Sequence, residues 1–175
     1  MICRAIGWIL RRFLGKSTFG AINYGKFLGA GIFAILSMDV IYRLEKSLDL
    51  TAVAELYRSA GWMSAGEEAS GLAPMLRNSF AVMAAFDAAT GRLVGMMRAL
   101  SDGCSDAYLL DLVVHPEARR QGIGREVAER LAAHLKSLGV EWIVCIGAPG
   151  TEEFYGATSA RPMRGYAPWR FHLSE

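Results

Sequence analysis

Residues 111–135, DLVVHPEARRQGIGREVAERLAAHL, decide how the rest of the chain is interpreted. The stretch begins as an apolar strand that Pro116 ends, and it passes through a glycine-rich turn into a helix. Gly139 follows at the place where such a helix ends. Apolar residues recur at the spacing of one helical face, at Ile123, Val127, Leu131, Leu135 and Leu138. The order strand, turn and helix predicts an α/β arrangement.

The turn places two glycines and several arginines where the helix begins. The first N–H groups of a helix have no partner within it and carry positive partial charge. Gly122 and Gly124 would let the backbone approach a bound anion closely. Arg119, Arg120 and Arg125 would add charge-assisted contacts. The pattern predicts an anion site, and the alternative is a tight turn with solvated arginines.

Two common phosphate-binding motifs do not explain this turn. A P-loop requires Gly-x4-Gly-Lys-Ser/Thr, which the sequence lacks. A dinucleotide-binding fingerprint requires a third small residue where Val127 stands. Residues 29–34 do match that fingerprint, but no convincing strand precedes them, so we reject this alternative.

Strand-like and helix-like segments alternate over residues 39–175. The pattern predicts strands at residues 40–46, 80–87, 92–100, 107–115 and 140–148. It also predicts helices at residues 49–62, 67–79 and 150–159. The second of these is broken around Gly71 and Pro74, and Thr151 is a candidate N-cap of the third. We expect residues 164–173 to form one or two edge strands.

The strand at residues 107–115 is apolar on both faces, which is typical of the interior of a sheet. Strict alternation would place Leu109, Asp111 and Val113 on one face. The other face would then carry Tyr108, Leu110, Leu112 and Val114.

Residues 1–38 differ from the rest in charge. They carry five basic residues and no acidic one, whereas the remainder carries 14 basic and 17 acidic residues, a net charge of −3. A mildly acidic domain is a poor general nucleic-acid binder, so we expect no nucleic-acid partner. The longest uncharged run, residues 27–38, is shorter than the roughly 20 residues that span a bilayer. We interpret residues 1–38 as a basic apolar extension that is poorly ordered, non-native, membrane-associated or a cleaved signal.

Three cysteines, Cys3, Cys104 and Cys145, have no spacing that suggests a metal site. We expect each to be a buried or half-buried free thiol, and we expect no metal. No small-x-small signal-peptide cleavage site clearly follows the apolar run of residues 1–38, and the cysteines do not require an oxidising compartment. The expected location is therefore cytoplasmic.

The opening stretch closely resembles the acetyl-CoA-binding motif of the GNAT superfamily of N-acyltransferases. That signature, Arg/Gln-x-x-Gly-x-Gly/Ala, is matched by Arg119, Gly122 and Gly124. The order of strands and helices over residues 39–173 is also similar to that family. The resemblance implies an α/β fold with a mixed, mostly antiparallel sheet, flanking helices and splayed central strands, and it makes residues 39–175 the acyltransferase domain.

The resemblance also implies how the co-substrate, acetyl-CoA, would be held. The pantetheine arm would pair with the backbone of Leu112, Val113 and Val114. A backbone N–H near Val113 or Val114 would stabilise the oxyanion. The turn would hold the pyrophosphate through Arg119, Arg120, Gln121, Gly122, Ile123, Gly124 and Arg125.

Tyr155, in the sequence EEFYG, matches the tyrosine that protonates the leaving thiolate in many family members. The alternative is that Phe154 and Tyr155 form a packed aromatic pair. The family usually continues with a glycine-aromatic pair after this tyrosine, and that pair is missing here. The general base is undefined: Asp111 can be structural, and His115 is better suited to a solvated or capping role.

The resemblance implies transfer of an acetyl group to a primary amine by direct attack in a ternary complex. Residues 61–72 are the candidate acceptor site, where Trp62 and Met63 would form an apolar wall. Glu67 and Glu68 would attract a cation, although a solvated loop is an equal alternative. Two rival functions stay open, a non-catalytic acyl-CoA-binding or sensing module and a membrane-associated interaction protein. A homodimer is also considered.

Overall fold

A computed structural model describes residues 38–171. Its five strands form one sheet in the order β1-β2-β3-β4-β5; the first four are antiparallel, and β5 is parallel to β4. The strands are β1 (Val40–Leu44), β2 (Ala81–Asp87), β3 (Leu93–Ser101), β4 (Asp106–Val114) and β5 (Trp142–Cys145). The helices are α1 (Leu50–Ser59), α2 (Leu72–Asn78), α3 (Ile123–Ser137) and α4 (Glu152–Gly156). The predictions for residues 1–37 lie outside the described residues.

Helices cover both faces of the sheet. Successive residues of a strand point to opposite faces. In β2, Met83 and Ala85 pack in the cluster that contains α3, whereas Val82 and Ala84 pack in the cluster that contains α1. The mixed, mostly antiparallel sheet flanked by helices that we predicted is therefore confirmed.

Local sequence signals set the ends of α1 and α3. Asp49 caps α1 by accepting a hydrogen bond from the Thr51 backbone N–H at 2.9 Å. Gly122 precedes α3 with φ 83°, and Gly139 follows it with φ 92°, a conformation that favours glycine. The predicted stripe of α3 is buried as far as Leu135, whereas Leu138 is 48% exposed and lies beyond the core.

Residues 67–79 form two short pieces. A 3₁₀ turn over Ala69–Gly71 leads into α2, as the break predicted at Gly71 requires. Pro74 does not break the helix, because it lies in the first turn of α2, where its missing N–H has no helical partner to lose. Thr151 precedes α4, but its hydroxyl donates to the carbonyl of Ala148 at 2.6 Å and does not cap the helix.

The strict alternation predicted for β4 is wrong, because a bulge interrupts the strand. Met96 pairs with Val113 and Arg98 pairs with Leu110, so two residues of β4 face Met97 alone. Asp111, one of those two, has φ 56°. The extra residue of the bulge reverses which side chains face which helix layer after Asp111. Leu109 therefore packs with Leu112 and Val114 on the α3 side, and Val113 packs on the α1 side.

The strand predicted at residues 140–148 is shorter in the structure. Its pairing with β4 runs from Asp106↔Trp142 to Leu109↔Cys145 and then stops, although β4 continues to Val114. Gly147 lies so close to α4 that an added Cβ would be 2.8 Å from Thr151 Oγ1. Because the pairing ends at Leu109 while β4 continues, the predicted splay is observed.

The prediction of edge strands in residues 164–173 is wrong for the part that the structure describes. Residues 164–171 contain a turn and otherwise irregular backbone. Pro168 has no N–H for a ladder, and Gly165 turns the chain with φ 84°. Trp169 is 86% exposed and Phe171 is 89% exposed.

Candidate functional site

A cavity of about 640 Å³ opens where β4 and β5 separate. It extends from the unpaired end of β4 to the beginning of α3 and to α4. Nine of the eleven residues predicted to form the site line it: Leu112, Val114, Arg119, Arg120, Gly122, Ile123, Gly124, Arg125 and Tyr155. Their chemical roles stay predictions.

Two predicted site residues do not line this cavity. The side chain of Val113 is buried in the core beside α1, because the bulge has turned it to that face. The side chain of Gln121 accepts a hydrogen bond from the backbone N–H of Met38 at 2.9 Å. The bulge explains the position of Val113, and sequence periodicity gives no sign of it.

The end of the cavity at α3 suits an anion. Three of the charged residues that line the cavity are arginines, and Asp111 is the fourth. Arg120 has φ 60° and Gly122 has φ 83°, so the turn is tightly coiled immediately before the helix begins. The N–H groups of the first helical turn have no helical acceptor and add positive potential.

The β4 edge offers backbone groups to the cavity. The N–H of His115 donates to Val94 of β3 at 2.8 Å. Because backbone groups alternate between the two edges of a strand, those of Val114 and Leu112 face the β5 side, whereas those of Val113 face β3. The carbonyl of Val114 accepts from Arg119 Nε at 2.9 Å, so this arginine joins the strand to the anion end.

Tyr155 lies on α4 and lines the cavity. Its ring meets that of Phe154 edge-on at 5.0 Å between centroids. Burial raises the pKa of the Tyr155 phenol to about 12, and the nearby thiol of Cys145 adds to that effect. The phenol therefore keeps its proton at neutral pH and can donate it.

A second cavity, of about 390 Å³, lies beside the first. Trp62 and Asp111 line both cavities, so the two meet there. Its remaining wall is mostly apolar with two carboxylates, and it is formed by Tyr57, Met63, Glu67, Glu68, Gly71, Leu72 and Met75. The predicted acceptor segment, residues 61–72, thus contributes most of this surface.

The carboxylate of Asp111 is held by two donors. Oδ2 accepts from the hydroxyl of Tyr57 at 2.9 Å and from Arg98 Nε in an ion pair. The side chain of Arg98 is 13% exposed and that of Asp111 is 26% exposed. Burial and the adjacent carboxylate raise the pKa of Tyr57 well above its ordinary value, so its hydroxyl remains a donor.

The histidines lie away from the cavities where the structure describes them. His115 Nε2 is 2.8 Å from Arg92 in a charged group that also includes Glu55 and Glu117. His134 lies on α3 outside both cavities. His172 is outside the described residues.

Further observations concern metals, membranes and thiols. In residues 38–171, no group of three or more His, Cys, Asp or Glu side chains is placed to hold a metal ion. No helix in the same range is long and apolar enough to cross a membrane. Both Cys104 and Cys145 are free thiols, as predicted, but Cys104 is exposed rather than buried or half-buried, whereas Cys145 is half-buried. Cys3 lies outside that range.

Several residues that line the first cavity were not predicted as site residues from the sequence. Tyr108 and Leu110 belong to β4, whereas Ile146, Ala148 and Thr151 follow β5. Ile146, Ala148 and Thr151 come after the point where β5 diverges from β4, whereas Tyr108 still pairs with Val144. This divergence depends on contacts between distant segments, and no local pattern signals it.

Comparisons with known proteins agree with this geometry. The model of the acetyltransferase (GNAT) family matches residues 48–156. Serotonin N-acetyltransferase 2, a chloroplastic protein of Oryza sativa subsp. japonica, is 34% identical in a 136-residue alignment that covers 74% of this chain and 67% of that protein. An uncharacterized N-acetyltransferase, ycf52 of Pyropia yezoensis, is 28% identical, and the match covers 67% of each chain.

A solved structure shows the same fold. It is a protein of unknown function from meticillin-resistant Staphylococcus aureus, with a TM-score of 0.65 and 18% identity over 78% of this chain and 100% of that one. At this identity the likeness supports the fold alone. The family model and the similarity to the rice protein show more than the fold: the chain belongs to the GNAT family of acetyltransferases.

Proposed function

We propose that this protein transfers the acetyl group of acetyl-CoA to a primary amine, by direct attack in a ternary complex. One observation carries the proposal: the unpaired end of β4, the first turn of α3 and Tyr155 surround a single cavity. These three features would serve, in turn, the extended arm, the diphosphate and the departing thiolate of acetyl-CoA. Cytoplasmic location and a homodimer stay predictions, and the rice relative is chloroplastic by name.

The cavity fits coenzyme A by the chemistry of its walls. Leu112 and Val114 would pair through their backbone with the amides of the pantetheine arm, as an added strand would. The first N–H groups of α3 would bind the diphosphate. Arg119, Arg120 and Arg125 would add charge-assisted contacts to it.

The chemistry requires a neutral amine and a proton donor. The amine nitrogen attacks the thioester carbonyl carbon, a C–N bond forms, and the C–S bond breaks. The N–H of Leu112 or Val114 would stabilise the oxyanion, and Tyr155 would protonate the departing thiolate. The attacking nitrogen loses one proton to water, which then returns a proton to the Tyr155 oxygen.

The second cavity would hold the acceptor. Trp62 and Met63 would contact an apolar body, while Glu67 and Glu68 would attract an ammonium group before it loses its proton. Because Trp62 and Asp111 line both cavities, an amine in one would lie beside a thioester in the other. Serotonin, an aromatic ethylamine, suits such a wall and is acted on by the rice relative according to its name.

The test is a panel of amines with the full chain and acetyl-CoA. We expect an N-acetyl product and free CoA thiol in equal amounts, with serotonin among the acceptors. The matched control is N,N-dimethylserotonin, whose side-chain nitrogen cannot form a stable amide. Tight acetyl-CoA binding by calorimetry, without product from any amine, would contradict the proposal and favour the sensing module.

A further inference from the structure

The bulge in β4 is held by a side chain that belongs to it. Asp111 has φ 56°, a left-handed conformation that residues other than Gly, Asn and Asp rarely adopt. Its Oδ2 accepts from Tyr57 of α1 and from Arg98 of β3. The two donors come from different elements, so together they fix the direction of the side chain and, through it, the backbone of the bulge.

The contacts continue from Tyr57 to the wall of the acceptor cavity. Tyr57 is buried, and its ring centroid lies 5.4 Å from that of Trp62. Trp62 itself is 51% exposed and lines both cavities. A continuous series of contacts, from Arg98 through Asp111 and Tyr57 to Trp62, thus joins the sheet to this wall.

The placement of the hydrogen bonds favours a structural use of the carboxylate. Both donors bind Oδ2, and one of them is the guanidinium of Arg98, whose charge balances that of Asp111. The pair is largely desolvated, which makes such hydrogen bonds directional and costly to break singly.

We propose that Asp111 is the positioning residue of the acetyl-transfer site. Through Tyr57 and Arg98 it sets the separation between the β4 bulge, where the backbone of Leu112 turns towards the cavity, and the Trp62 wall that receives the amine. This inference rests on the proposed function, because it assigns the two cavities to the two substrates.

The first test compares Tyr57→Phe with Tyr42→Phe. Both changes remove only a hydroxyl, but Tyr42 lies on β1 outside both cavities. We expect Tyr57→Phe to lower kcat/KM for the amine about tenfold, since small misplacements of reacting groups are costly. Its affinity for acetyl-CoA should stay within about twofold, while amine affinity in the presence of CoA falls. Wild-type kcat/KM in Tyr57→Phe would overturn the proposal.

The second test compares Asp111→Asn with Asp111→Ala. Asparagine tolerates the left-handed backbone and keeps an accepting oxygen, so it should retain more of the wild-type kcat than alanine does, although it leaves the charge of Arg98 unbalanced. Alanine strains the bulge and removes both anchors, and kcat should fall about a hundredfold. The pH profile of kcat/KM should be the same for Asn and wild type. A pH dependence of kcat/KM that the wild type shows and the Asn variant lacks would assign proton transfer to the carboxylate, and would overturn the proposal.

The outcomes separate this inference from the proposed function. If the wild-type protein acetylates no amine, the proposed function fails before any variant is compared. If the wild type is active but Tyr57→Phe behaves like Tyr42→Phe, the positioning role alone fails. Calorimetric unfolding of every variant identifies one that has lost its fold, and Tyr57→Phe, which keeps the buried ring, then decides the question.

Discussion

The surroundings of Tyr155 suit a group that must keep its proton until a leaving group needs it. The residue lies on a helix of one turn, half-buried, with Phe154 packed edge-on against it. The predicted aromatic pair is therefore present, and it does not exclude the acid role, since the ring also lines the cavity. Burial raises the pKa of the phenol to about 12.

We expect Tyr155→Phe to lower kcat by about a hundredfold, the usual contribution of a general acid, while acetyl-CoA affinity changes by less than about twofold. A raised pKa favours the neutral phenol, so kcat of the wild type should not decrease through this group below about pH 10. Tyr166→Phe is the control, because Tyr166 is 67% exposed and lies outside the cavity. Steady-state kinetics and calorimetry check these expectations, and equal losses of rate and affinity would contradict the acid role.

Single residues were predictable where their signal is local. The arginines and glycines before α3 could be placed from spacing alone, and the cavity brings most of them together. The conformation of Asp111 could not be predicted, because its positive φ is maintained by Tyr57, 54 positions away in sequence. The position of Val113 on the α1 face depends on the same bulge.

Among the elements, α3 was predicted well and β5 was not. The helix carries its own stop signals and its own apolar stripe, so its bounds follow from nearby residues. The length of β5 depends on where β4 stops pairing with it, which is a contact between distant segments. The prediction of edge strands in residues 164–173 was wrong for a related reason. Alternating apolar residues favour a strand, but they do not supply the neighbouring strand with which it must pair.

The two ends of α3 allow a controlled test of the anion site. Gly122 and Gly139 both have positive φ, and an added Cβ at either would meet nothing within 4 Å. Glutamate at either position should therefore cost a similar backbone strain, roughly 1 kcal/mol of stability. Only Gly122→Glu places a negative charge where the diphosphate would bind.

We expect Gly122→Glu to weaken acetyl-CoA binding at least about a hundredfold, because the added carboxylate would repel the diphosphate where it would bind. Gly139→Glu should bind acetyl-CoA as the wild type does. Titration calorimetry measures both, and thermal unfolding confirms that the two variants are comparably folded. Undiminished affinity in Gly122→Glu would show that the diphosphate is bound elsewhere.

At the scale of the whole molecule, the important feature is that two cavities share Trp62 and Asp111. Two substrates in such cavities can be bound at the same time, so the acetyl group can pass directly to the amine without a covalent acetyl-protein intermediate. We expect double-reciprocal plots of rate against amine, at several acetyl-CoA concentrations, to intersect. Parallel lines, or exchange of label between acetyl-CoA and CoA without amine, would indicate a covalent acetyl-protein intermediate.

The separation of β4 from β5 also affects how this protein can change over time. Beyond Leu109, the edge of β4 that faces the cavity is not paired with β5, and what it presents to the cavity is peptide groups. Every amino acid except proline supplies the same donor and acceptor there. Recognition by that edge is therefore indifferent to which side chains occupy it, and the identities of Leu112 and Val114 are constrained instead by their packing on the α3 side.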